Sequence, residues 1–205
     1  MEKVYLDTAC TGVPPTQVLS CANQLNALLT DPAISAGNVN RKLRSYMESG
    51  RSAVAALIHC SPCEVALVES TSYALGMLAN AIPLQPEDNV LVCDLEYQAS
   101  TLCWKRRQEK IGIEVRKVCS HNGTITAEDF KDCMDEHTRV ILIAAVQEIN
   151  GFRADIAAIT RMAHEHNCLV IVDGIQEVGA MAVDVKASGV DFYCAGGKKW
   201  LCNPY

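Results

Sequence analysis

CLVIVDGIQEVG, residues 168–179, runs four apolar residues into an aspartate and a glycine. Leu169, Val170, Ile171 and Val172 show no polar alternation, the pattern of a strand covered on both faces. Asp173 then stands at the mouth of that strand, with Gly174 opening the loop beyond it. A carboxylate in this place either caps the following turn or faces a ligand at the strand end.

The same pattern spreads outward along the chain. TRVILIAAVQ (138–147) is a second uninterrupted apolar strand, and VALVES (65–70), DNVLVCDLE (88–96), IEVRKVC (113–119) and VDFYCAGG (190–197) are shorter ones. Between them lie stretches whose apolar residues recur at three and four: TSYALGMLANAIPL (71–84), STLCWKRRQEKIG (100–112), TAEDFKDCMD (126–135) and DIAAITRMAHEHN (155–167). Two helices precede them, QVLSCANQLNALL (17–29) and NRKLRSYMESGRSAVAALIHC (40–60), the second ending near His59. Strands alternating with helices predict crossover connections and a mostly parallel sheet, hence an α/β fold flanked by helices. No internal repeat or interdomain linker breaks residues 1–205, which read as one domain.

Composition excludes several classes. Of 205 residues 49% are hydrophobic and 20% charged, a globular rather than disordered balance. The formal charge of −6 and the lack of a basic block argue against nucleic-acid binding. No apolar run reaches membrane-spanning length, and MEKVYLD carries no apolar signal segment, so a cytoplasmic protein without a membrane partner is expected. Eleven cysteines without such a signal fit a reduced thiol population. Cys60 and Cys63 have the spacing of a redox or half-zinc pair, but no second well-spaced pair follows, and small apolar packing at a turn is the simpler account.

Open α/β sheets bind ligands beyond the carboxyl ends of their strands. Polar residues gather there five times: Ser70-Thr71-Ser72, Glu96-Tyr97, Gln147-Glu148, Asp173 with Gln176, and Gly196 through Lys199. The first group either caps a helix or forms a phosphate cup of free N–H groups and hydroxyls. Neither GxxxxGK[ST] nor GxGxxG occurs, so nucleoside triphosphates and dinucleotides lack their signatures. Tyr97 is rim filler or a flat face for a flat cofactor. A lysine amine becomes a covalent carrier of carbonyl compounds where its surroundings favour the neutral form. An anion cup, a carboxylate for a ring nitrogen, an aromatic plate and a lysine together match the needs of pyridoxal 5'-phosphate (PLP).

The chain resembles the class V aminotransferase family of fold-type I PLP enzymes, which includes cysteine desulfurases, selenocysteine lyases and isopenicillin-N-epimerase-like proteins. The matching pieces are YLDTACTGVPP (5–15), VALVESTSYALGMLAN (65–80), DNVLVCDLEYQAS (88–100), VQEINGFRADI (146–156), LVIVDGIQEVGAMAVDV (169–185) and DFYCAGGKKWL (191–201), in the family's order. The resemblance implies that Lys199 is the Schiff-base lysine and that Asp173 pairs with the pyridine nitrogen. It places Gln176 near the ring hydroxyl, Thr71 and Ser72 on the phosphate, and Tyr97 over the ring. Glu148 stands near the cofactor where desulfurases commonly have asparagine. Lys198 replaces a histidine, and Gly196 a hydroxyl residue that helps hold phosphate; Lys198 either compensates there as a positive charge near the phosphate or is a solvated lysine. Adjacent lysines in an extended segment would point to opposite sides, leaving one of them for the cofactor.

Family members run to about twice this length, with a C-terminal small domain after the lysine. The resemblance therefore covers the large, cofactor-binding half, with residues 1–20 lining the substrate side. The usual catalytic cysteine and carboxylate-binding arginine of the family fall outside it, so little turnover is expected from these residues alone. Desulfurase- or lyase-like chemistry on a small amino acid is the first expectation. Epimerase-like or aminotransferase chemistry, or an inactive PLP-binding fragment, are the alternatives. Family members are typically homodimers, so a homodimer is also implied.

Overall fold

The computed structural model describes residues 4–204. Five strands form one all-parallel sheet: β1 (Asn89–Cys93), β2 (Glu114–Val118), β3 (Thr138–Ala144), β4 (Leu169–Asp173) and β5 (Phe192–Cys194), in spatial order β2-β1-β3-β4-β5. Seven α-helices accompany them: α1 (Thr16–Thr30), α2 (Ala36–Leu57), α3 (Thr71–Ala81), α4 (Gln98–Ile111), α5 (Ala127–Lys131), α6 (Ile156–Glu165) and α7 (Val185–Ser188). The short α7 follows β4 and gave no periodic signal, because four residues hold barely one turn.

Alternate side chains of the same strands feed two separate cores. Leu91, Ile141, Ile143, Val170 and Val172 meet Phe130, Ile159, Met162 and Ala163 on one face. Val90, Val92, Val140, Leu142 and Ile171 meet Leu75, Ala79 and Trp104 on the other. Both faces are therefore dry, which is why the strand sequences lack polar alternation. Helix ends follow local chemistry. Ser35 accepts from Asn38 N–H to start α2, Thr126 and Asp129 form a reciprocal cap on α5, and Gly112 ends α4 in the left-handed region at φ 78°.

The strand expected at residues 65–70 does not form. These residues leave a 3-10 turn (Pro62–Glu64) and run without a ladder partner among the described residues, with Leu67 and Val68 exposed. Arg51 of α2 donates to the Val65 carbonyl in place of a neighbouring strand. Apolar composition suffices for strand propensity, but a strand exists only where another backbone pairs with it. Of the Cys60–Cys63 pair, Cys60 packs beside Ile58, Val178 and Val183, while Cys63 is exposed. Among the described residues no helix is long and apolar enough to cross a membrane, and no three His, Cys, Asp or Glu side chains are grouped as metal ligands.

Candidate active site

The strand order reverses direction between β1 and β3, and the loops leaving their carboxyl ends diverge to opposite sides of the sheet. A crevice at this switch point is where an open parallel sheet binds ligands. Here it is a cleft of about 430 Å³ bordered by Thr71, Ser72, Tyr97, Gln147, Glu148, Asp173, Gln176, Lys198 and Lys199. All eight residues singled out as site candidates from the sequence are thus brought together. Ser100 and Cys10 also border it. The sequence does not single out Ser100, since it sits inside a helical pattern; nor does it mark Cys10 individually, though Cys10 lies in the stretch 1–20 expected on the substrate side.

Asp173 ends β4 with its side chain buried, only 5% of the residue being exposed. Its carboxylate accepts from Ser100 Oγ at 2.9 Å and from the Ile175 amide at 3.1 Å. Burial raises its proton affinity; these two hydrogen bonds and the charge of Lys199 oppose the shift, and Glu148 adds to it. A buried carboxylate in this condition gains most from a cationic hydrogen-bond donor.

Across the cleft, Ser70 Oγ accepts from Tyr73 N–H at 3.1 Å and so caps α3. The cap and the anion cup are therefore not exclusive: Ser70 does the capping, and Thr71 Oγ1 is left buried with no partner. Gly196 faces it closely. A Cβ on Gly196 would lie 3.1 Å from Thr71 Oγ1 and 3.3 Å from Ile175 Cδ1, filling the space beside the helix N-terminus. An orphan hydroxyl, a helix N-terminus and a side-chain-free wall make a cradle of the right chemistry for a phosphate. Ser72 and Lys198 are exposed at its edge.

Lys198 and Lys199 lie in a turn, not in an extended strand, so side-chain alternation does not separate them. Burial and charge do. Lys199 is half-buried and close enough to Asp173 to influence its titration, whereas Lys198 is exposed. The N-terminal segment fixes this turn. Gly12 N–H donates to the Lys198 carbonyl at 2.8 Å, and a Cβ on Gly12 would sit 2.0 Å from the Lys199 carbonyl oxygen, so only glycine fits.

Gln176 joins the same clamp. Its Nε2 donates to the Ala9 carbonyl at 3.1 Å and its Oε1 accepts from Trp200 Nε1 at 2.8 Å. Its carbonyl is thus engaged in positioning, and one amide N–H is left for the cleft. Tyr97, at the start of α4, is 57% exposed on the cleft rim, where a ring face is available for stacking.

Behind the rim, Glu96 Oε1 accepts from the Ala144 amide at 2.8 Å and from Gln147 Nε2 at 3.0 Å, while Oε2 has no partner. Burial pushes the Glu96 carboxyl up to about 7, the two hydrogen bonds resisting and the nearby Asp173 assisting. Its folded value lies above its unfolded one, so the protein favours the protonated form, and ionisation costs stability as pH rises. The cofactor-free chain is expected to lose on the order of 2–3 kcal/mol from this group as pH climbs from near 4.5 through 7. Urea unfolding of wild type and Glu96→Gln at pH 5 and pH 8 checks it. The variant should show a clearly flatter profile, and an equal slope in both would assign the dependence elsewhere.

A parallel sheet with an open crevice at its switch point, bordered by a buried carboxylate, an unpartnered hydroxyl at a helix N-terminus and a loop lysine, is the architecture of a ligand-binding α/β fold. The chain belongs to the aminotransferase class-V family, whose sequence pattern matches residues 4–205. It is 32% identical to a probable cysteine desulfurase of Methanothermobacter thermautotrophicus over 99% of this chain and 51% of the relative. It is 30% identical to a cysteine desulfurase of Dickeya dadantii over 95% of this chain and 49% of that one. The chain thus spans about half the length of the curated relatives it matches. Among solved structures, C-DES carrying glycine covalently linked to its PLP cofactor superposes with a TM-score of 0.92 at 19% identity, covering 99% of this chain and 55% of the other. The cysteine desulfurase CsdA of Escherichia coli gives 0.85 at 23% identity, covering 95% and 50%. At these identities the structural likeness establishes the fold.

Proposed function

We propose that the cleft binds PLP and serves a PLP-dependent reaction on a small amino acid, with cysteine desulfurase- or lyase-like chemistry as the best-supported form. The observation that carries it is Asp173, a buried carboxylate whose proton affinity is raised and which faces a cleft with a phosphate cradle on the other side. A protonated pyridine nitrogen would be the cationic donor this carboxylate lacks. Thr71, Ser72, the α3 N-terminus and Lys198 would hold the phosphate, Tyr97 the ring face, Gln176 and Glu148 the hydroxyl side, and Lys199 the covalent attachment. When bound, PLP supplies an electron sink for charge developing at the substrate Cα. Asp173 would hold the proton on the ring nitrogen that strengthens that sink, and the Lys199 amine would be placed to accept and return a substrate Cα proton. The two curated relatives are named as cysteine desulfurases, which supports the sulfur-directed form.

A homodimer belongs to the same proposal. Tyr73 and Met77 on α3, with Leu102 on α4, leave exposed apolar area close to the cleft, suited to a second copy. Equilibrium dialysis with PLP tests the cofactor assignment. Saturation at a single molecule per chain is expected, with a visible absorbance band that borohydride abolishes. A chain that retains no PLP would overturn it.

A further inference from the structure

Two buried oxygens behind the cleft have no donor among the described residues, and they belong to groups that are already hydrogen-bonded to each other. Glu96, in the loop leaving β1, accepts at Oε1 from Gln147 Nε2 at 3.0 Å and from the Ala144 amide at 2.8 Å. Its Oε2 is buried without a partner, and so is Gln147 Oε1. Buried polar atoms in a native fold are seldom left so. An ionised carboxylate carries acceptors alone, so it satisfies neither oxygen. A proton on Glu96 Oε2 turns one of the two into a donor and the other into its acceptor. Turning the amide over does not remove the need, because its carbonyl would then face Glu96 Oε1 at the same distance, one acceptor against another.

The surroundings favour that proton. Burial acts most strongly, and the ionisable groups coupled to Glu96 are acidic: Asp173 at the end of β4 and the Cys93 thiol at the end of β1. Asp94 is engaged elsewhere, accepting from Ser120 N–H at 2.9 Å. No cation acts on Glu96.

The two partners stand on different loops. Gln147 is fixed by its own backbone, whose N–H donates to the Phe152 carbonyl and whose carbonyl accepts from Gly151 N–H, both at 2.8 Å. Tyr97, the residue after Glu96, begins α4 with no side-chain cap. Glu96 thus ties an uncapped helix start, with Tyr97 on the cleft rim, to a braced loop that continues into Glu148.

We propose that Glu96 is a positioning residue: with Gln147 it forms a neutral acid–amide pair that holds the Tyr97 rim of the cleft to the loop bearing Glu148. Loss of the proton sets two acceptors against each other beside Asp173, and the tie loosens. The inference rests on the PLP reading only for what Tyr97 and Glu148 would contact, since the pair belongs to the cofactor-free protein.

Wild type and Glu96→Gln are compared at pH 6 and pH 8, the glutamine making the same contacts without an ionisable proton. In the cofactor-free proteins, difference infrared spectroscopy at pH 6 should show a protonated-carboxyl band in wild type that the variant lacks. Hydrogen exchange across 95–98 and 147–149 is read as the ratio of wild type to variant, in which the intrinsic pH dependence cancels. That ratio should be near unity at pH 6 and rise severalfold at pH 8. PLP affinity should be nearly equal in the two proteins at pH 6 and about tenfold weaker in wild type at pH 8, because binding must then restore a proton to a group that titrates near 7. Absence of the band, or an exchange ratio that ignores pH, overturns the pair. A flat ratio of PLP affinities alongside a rising exchange ratio overturns its positioning role. If neither protein binds PLP, the proposed cofactor function fails, and the infrared and exchange measurements still decide whether the pair holds these loops.

Discussion

Borohydride reduction of the PLP-loaded chain is expected to leave the pyridoxyl group on Lys199, with Lys199→Ala abolishing the adduct altogether. Mass mapping of the peptide that spans 198–201 reads this directly. The two lysines share a turn, so sequence adjacency does not choose between them; their surroundings do. Lys199 is half-buried and electrostatically coupled to Asp173, while Lys198 is exposed at the cradle's edge. The backbone of both is held by Gly12 and by the Gln176–Trp200 hydrogen bond, so losing one side chain leaves the turn in place. Lys198→Ala should keep the adduct and weaken PLP binding only by the worth of a partly solvated charge near phosphate, about 1 kcal/mol. An adduct on Lys198 that survives in Lys199→Ala would reverse the assignment.

The second large effect is expected at Asp173. Replacing it with Asn keeps the shape and an acceptor for Ser100 or Ile175, but removes the charge offered to a ring nitrogen. Loss of one charge-assisted hydrogen bond of about 1.5–3 kcal/mol corresponds to roughly ten- to a hundredfold weaker PLP binding. The cofactor-free protein should respond in the opposite sense. Burial already disfavours the charged carboxylate, so Asp173→Asn at neutral pH should be at least as stable as wild type. PLP titration and thermal unfolding of the same two proteins measure both signs. Unchanged affinity would remove Asp173 from the cofactor, and a marked loss of stability with it would make the residue structural.

The parallel α/β architecture and most of the site were legible in the chain because both depend on local patterns. Apolar runs such as 140–144 and 169–172 announce strands covered on both faces, and the polar residue after each run falls at a strand end by necessity. That is enough to bring Asp173, Glu148, Tyr97 and Lys199 to one edge of one sheet; Thr71 reaches it on α3, behind a segment that forms no strand. Residues 65–70 show where such a reading stops. Their composition is that of a strand, but pairing depends on which backbone lies alongside, and no local property encodes that.

What the sequence by itself determined is the alternation of strands and helices, the gathering of polar side chains at the strand ends, and the absence of nucleotide-loop signatures. Only the tertiary structure decided which of these groups are already satisfied. Ser70 caps α3 and thereby leaves Thr71 free; Ser100 reaches Asp173 across 73 residues; Gln176 bridges Ala9 and Trp200. It also set Glu96 against Gln147, leaving Gln147 Oε1 buried without a donor, which no spacing could reveal. The physical reason is range. Propensity and periodicity act over a few residues, whereas burial, hydrogen-bond satisfaction and the shifted titration of Asp173 and Glu96 arise from elements that meet only when the sheet is assembled.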